Sequence, residues 1–135
     1  MVNRQEQVAM RYVKDLAEKQ NIKVEDKHSK KVGYDYEFTY PDGKTAKVEV
    51  KGTEKEYKIP DMSEKEFDSK QRLKADFILV VGHVLSEEKI LYKIPREAIK
   101  PGNLRPKQTY HIKRFQNRKN MENYMMKRPH SLSES

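Results

Sequence analysis

The chain has 135 residues and no cysteine, which excludes disulfides, cysteine-ligated zinc and thiol nucleophiles. Leu, Ile, Val and Phe number 28, just above the roughly 20% below which chains tend to disorder; one thin core in one domain is expected, and no apolar run approaches the roughly 20 residues of a membrane span. The formal charge of +8 is uneven: residues 1–100 carry 21 Lys+Arg against 19 Asp+Glu and residues 101–135 carry 8 against 2, a distribution that suits a polyanion such as nucleic acid.

Val8, Ala9, Tyr12, Val13 and Leu16 form the apolar stripe of an amphipathic helix over about 4–20, with Asn21 as its stop. Ile22 and Val24 alternate and suggest a short edge strand. From Gly33 the period becomes two. Tyr34, Tyr36, Phe38 and Tyr40 alternate with polar residues, as do Ala46, Val48 and Val50, and Pro41-Asp42-Gly43 between them predicts a hairpin with glycine in the left-handed conformation. Tyr57–Pro60 reads as a third short strand. Ser63 with Glu66 three residues on is a capping box, predicting a helix to about Ala75. Phe77–Val81 is a continuous apolar run, hence a strand buried on both faces. Ile90–Ile94 is another strand, followed by a helical turn at Pro95–Ile99. The last twenty residues are polar apart from Tyr124, Met125 and Met126. The expected organisation is one domain over 1–115 and a basic polar extension over 116–135.

Several chemistries are absent. There is no phosphate-binding loop, no His-Glu-x-x-His and no Gly-x-Ser-x-Gly, and His28, His83, His111 and His130 are isolated from one another in sequence. The polar face of the hairpin remains. A three-residue loop makes cross-strand partners sum to 84, so Asp35 opposes Glu49 and Glu37 opposes Lys47. Two facing carboxylates repel unless a cation lies between them, and oxygen ligands select a hard ion such as Mg²⁺ or Mn²⁺. Lys51 projects from the same face. Glu-x-Lys is common in so charged a chain, and a half-wet sheet alternates for structural reasons alone. The opposed carboxylates are what that bland reading does not predict.

Gly33-Tyr34-Asp35 followed by Val48-Glu49-Val50-Lys51-Gly52 resembles the signature of the PD-(D/E)XK nuclease superfamily. Within it, the wording is similar to the nuclease-like domain at the C-terminus of the plant No Vein protein and its bacterial relatives. Size and basicity are similar to small Holliday-junction resolvases. The residue before Asp35 is tyrosine rather than the proline of the superfamily's name. The resemblance implies an α/β fold with a restriction-endonuclease-like αβββαβ core, a small mixed sheet flanked by helices. It implies that Asp35, Glu49 and the backbone carbonyl of Val50 hold Mg²⁺ or Mn²⁺, and that Lys51 positions or deprotonates the attacking water. Glu6, in the first helix, is the candidate for a further acidic ligand; an acid in a helix's first turn also complements the macrodipole.

The expected activity is metal-dependent DNA endonuclease hydrolysis of phosphodiester bonds, with RNA as a substrate of the same phosphate chemistry. Lys70, Arg72 and Lys74 on the helix after the signature, and Arg105, Lys107, Lys113, Arg114, Arg118 and Lys119 near the C-terminus, are the expected phosphate contacts. Cutting two strands suggests a homodimer or a larger assembly. An intracellular, cytoplasmic location without a membrane partner is expected. The alternative is a catalytically inactive nuclease-fold module that binds nucleic acid or a partner subunit, indifferent to metal and to loss of Asp35.

Overall fold

A computed structural model describes residues 3–30, 32–56, 58–59, 62–70, 72–99, 109–110, 115–116, 118–128 and 130–132. In chain order these form α1 (Arg4–Lys19), β1 (Lys23–Asp26), β2 (Tyr36–Thr39), β3 (Thr45–Gly52), β4 (Met62–Ser63), β5 (Phe77–Gly82), β6 (Ile90–Pro95), β7 (Thr109–Tyr110) and α2 (Arg118–Glu122). Asn3 starts α1 by accepting the Glu6 N–H at 2.8 Å, satisfying one of the orphan donors of a helix start. Asn21 follows the helix at a φ of +63°, the left-handed stop expected of it, and the chain enters edge strand β1.

The hairpin has the expected register. Tyr40 donates its N–H to the Lys44 carbonyl at 2.8 Å, Gly43 has a φ of +88°, and Glu37 pairs with Lys47. The ladder ends at Tyr36–Val48, and Gly33-Tyr34-Asp35 bend away rather than continuing it. β5 is buried along its whole length, parallel to β3 on one side and antiparallel to β6 on the other. The result is an α/β fold on a mixed five-stranded sheet in the order β1-β2-β3-β5-β6.

Strand alternation divides the apolar side chains between two faces. Phe38, Val48, Val50, Leu79, Val81 and Leu91 pack with Ala9, Val13 and Ala17 of α1. Ile78, Val80, Tyr92 and Ile94 pack on the other face with Ile59, Met62, Phe67, Leu73, Phe115 and Met121. Phe115 is fully buried in this second cluster.

Two expectations are corrected here. The capping box starts only one 3₁₀ turn, Glu64–Glu66, and no helix runs to Ala75. Asp68 instead accepts the N–H groups of Lys70 and Arg72, which shapes a tight turn, and Phe67 bridges Leu73 so that both enter the second core. Ile59 is buried without belonging to a strand, while Tyr57 and Pro60 lie outside the described residues; the strand in this region is β4, paired with β7.

The C-terminal segment returns across the molecule. Lys93 donates its N–H to the Tyr124 carbonyl and Met126 to that of Leu91, extending the outer edge of β6. Beyond it, Leu132 is buried, its N–H bonds Gln20 Oε1 at 2.7 Å, and His130 Nδ1 lies 2.8 Å from the Tyr12 hydroxyl. Burial, reinforced by the nearby Arg128 charge, lowers the His130 pKa.

Gly52 sets how closely α1 meets the sheet. A Cβ there would lie 2.7 Å from the Gln5 carbonyl oxygen and 2.9 Å from Ala9 Cβ. Gly52→Ala is therefore expected to push the first turn of α1 off β3 and cost about 1–3 kcal/mol. The check is a lower urea midpoint at unchanged m-value.

Candidate active site

The groups of interest converge where β3 outruns β2. The β2–β3 ladder stops at Val48, leaving the next turn of β3 without a strand on that edge. Asp35 fills the opening. It is only 4% exposed, donates its N–H to the Val48 carbonyl and accepts the Val50 N–H on Oδ2 at 2.8 Å. A strand residue's N–H and carbonyl leave on the same edge, so the Val50 carbonyl also faces the Asp35 side. The sharp turn before β2 thus directs the Asp35 side chain along β3 instead of leaving it square across from Glu49.

Glu49 is 2% exposed, on the sheet face opposite α1. Burial pushes its pKa well above the ordinary carboxylate value, the charges of Glu66 and Asp35 push the same way, and Lys51 opposes them. Lys51 Nζ stands 3.3 Å from Glu49 Oε2 and 2.8 Å from Glu66 Oε1. Burial alone would lower the Lys51 pKa, but Glu66 and Glu49 outweigh it and raise the value, so the ammonium form persists. Glu66 Oε2 is buried and has no hydrogen-bond partner among the described residues.

On the α1 side of the opening, His28 donates from Nδ1 to Asp35 Oδ1 at 2.7 Å. Glu6, half-buried in the first turn of α1, comes near enough that ligand atoms of Glu6, His28 and Asp35 all lie within 4.8 Å of one another. The hydrogen bond to Asp35 raises the His28 pKa above its ordinary 6.5, against partial burial and with help from Glu6 and Asp26. Because the folded pKa is the higher one, this pair stabilises the protein below pH about 6.5 and loses its contribution as pH rises through the folded value. Proton NMR of the His28 ring should give a midpoint above 6.5, and Asp35→Asn should bring that midpoint down.

The fold therefore gathers Glu6, Asp35, Glu49, Val50 and Lys51 at one opening, and adds His28 and Glu66, which the sequence did not single out. Neither carries a signal of its own: His28 sits in a polar stretch without periodicity, and Glu66 reads as the third residue of a helix cap. The expected phosphate contacts are more scattered. Lys70 and Arg72 are exposed on the turn shaped by Asp68, with Arg72 Nε 3.1 Å from Asp68 Oδ2, and Lys74 is half-buried. Arg118 meets the Glu56 carboxylate from α2, and Lys119 is exposed beside it. Arg105, Lys107, Lys113 and Arg114 lie outside the described residues.

A hard divalent cation fits this donor set. Ligand atoms of Glu6, His28 and Asp35 cluster there, two of the three residues being carboxylates; Glu49 and Glu66 add carboxylates outside that cluster, and the buried Glu66 Oε2 has no hydrogen-bond partner among the described residues. A cation would also relieve the repulsion that raises the Glu49 pKa. Among the described residues, no helix is long and apolar enough to cross a membrane.

Residues 5–94, which include every group gathered at the opening, match the family model described as Protein NO VEIN, C-terminal, and the chain belongs to that family. No curated protein and no solved structure matches it.

Proposed function

We propose, from this family membership and the chemistry of the opening, that the chain is a Mg²⁺- or Mn²⁺-dependent endonuclease that hydrolyses phosphodiester bonds of DNA. The observation that carries the reading is a largely buried lysine held between the buried Glu49 and the half-buried Glu66, whose Oε2 has no hydrogen-bond partner among the described residues, beside Asp35. A stability role alone does not account for so much buried charge, since buried ion pairs seldom repay their desolvation.

Asp35, Glu49 and the Val50 carbonyl would hold the cation, with Glu6 and His28 beside Asp35. When bound, the cation supplies Lewis-acid stabilisation of negative charge on the phosphate oxygens. Lys51 stays protonated, so its part is to donate: it orients the attacking water and stabilises charge developing on the phosphoryl oxygens. Glu66 fixes the Lys51 ammonium through Oε1, and its Oε2 is an acceptor through which the water's proton can leave. His28 orients Asp35 through the 2.7 Å bond. Nothing in this machinery reads bases, so RNA is the competing substrate.

The experiment is calorimetric titration of Mn²⁺ into wild-type and Asp35→Asn protein, followed by plasmid nicking with the same samples. Metal binding that disappears with Asp35, together with Mn²⁺-dependent nicking by wild type, is the expected result. Wild type that binds DNA without metal and never nicks it would replace this reading by a binding module.

A further inference from the structure

A cleft of about 310 Å³ lies beside the opening, lined by Tyr34, Lys47, Arg72, Lys74 and Arg96 around Leu73. Among the described residues four cations meet one carboxylate there, Asp68. That carboxylate is committed to its own turn, accepting the N–H groups of Lys70 and Arg72 and the Arg72 Nε. The cations are arranged in advance of any ligand. Arg96 is anchored by Nε on the Ala75 carbonyl at 3.0 Å and by Nη2 on the Lys74 carbonyl at 2.9 Å, with Asp76 at its rim 3.4 Å away. Lys47 Nζ stands over the Tyr34 ring, 5.7 Å from its centroid.

The cleft's lining neighbours the candidate site along the chain. Lys47 precedes Glu49 by two residues, so their side chains leave the same face of β3 about 7 Å apart. Tyr34 adjoins Asp35, and the Lys74 N–H bonds the carbonyl of Glu66 at 2.8 Å. We propose that this cleft holds the backbone phosphate flanking the one to be cut, so that the substrate strand runs along the Lys47–Lys51 face of β3. The inference takes its substrate from the endonuclease reading and adds a subsite to it. The ligand class is a phosphodiester-linked strand. Among the described residues the lining is cationic and carries no Asn or Gln, and contacts to phosphate carry no sequence information, so a sequence-independent contact is expected.

The test is binding of fluorescein-labelled DNA oligonucleotides of unrelated sequence, measured by anisotropy in EDTA across a range of salt. Lys47→Ala is expected to weaken binding about tenfold for every sequence and to reduce the slope of log K against log salt by about 1. Arg72→Ala, in an exposed turn whose backbone bonds alanine keeps, is expected to do the same. Lys14→Ala, exposed on α1, should change neither quantity. The proposal is overturned if Lys47→Ala and Arg72→Ala bind like wild type, or if Lys14→Ala loses as much as they do. A free mononucleotide that displaces the strand with equal affinity would also overturn it. Plasmid nicking with Mn²⁺ on the same samples separates the two readings. Nicking without any effect of the cleft variants removes the subsite and leaves the nuclease; the expected binding losses without nicking do the reverse.

Discussion

Glu49→Gln is expected to abolish metal-dependent nicking, by roughly a thousandfold or more, while making the metal-free protein more stable. Burial and the neighbouring Glu66 and Asp35 charges raise the Glu49 pKa in the folded chain. A raised folded pKa stabilises below the unfolded value, about 4.3, and that contribution is lost as pH rises toward the folded one. At neutral pH, without a cation, burying the Glu49 carboxylate therefore works against folding. Glutamine fills the same volume without the charge, so a gain of about 1 kcal/mol, roughly 3–5 °C in melting temperature, should appear at pH 7 and vanish near pH 4. Adding Mn²⁺ should reverse the ranking, because a ligand that binds only the folded state stabilises by mass action and the variant has lost part of its site. Thermal melts at two pH values, with and without Mn²⁺, check all of this. A variant less stable than wild type at pH 7 without metal would show that the Glu49 charge supports the fold.

Lys51→Met is expected to have the largest effect on stability. It leaves the buried Glu49 and the half-buried Glu66 with no ammonium between them, and breaking a buried pair from one side costs about 3–5 kcal/mol. Adding Glu66→Gln should recover most of that loss, a coupling that a double-mutant cycle in urea measures directly. The recovered double variant should still fail to nick DNA, because methionine donates no hydrogen bond and no charge. Stability regained without activity assigns the Lys51–Glu66 pair to chemistry as well as structure; activity regained would confine the pair to structure.

The hairpin was legible because every local signal agreed: period-two alternation, a Pro-Asp-Gly loop and a glycine that takes φ +88°. The Glu37–Lys47 register followed from loop length alone. Phe77–Val81 was legible because a strand covered on both faces needs an unbroken apolar run. The segment after Ser63 was not. Its capping box is real but local, and the burial of Phe67 and Leu73 with the Asp68 turn outweighs it. The candidate site divides in the same way. Glu49 and Lys51 sit on β3, where spacing predicts a shared face; Asp35 was placed beside β3 by the hairpin register, but the bend before β2 turns it onto the Val50 N–H instead of opposite Glu49. His28 and Glu66 reach the opening from irregular segments, where only the closed tertiary structure brings them together.

The strap formed by Tyr124–Met126 and its continuation to Leu132 bears on how the molecule is made. Two of its bonds join residues 112 and 118 positions apart, Gln20 with Leu132 and Tyr12 with His130. A ribosome that has released Glu66 has produced every group at the opening, yet the outer edge of β6 waits for the final segment. Until then that edge is an open row of donors and acceptors, able to capture a strand from a neighbouring nascent chain. Chains stopped at residue 123 should therefore be cleared by proteases or gather into aggregates, although they lack no residue of the candidate site.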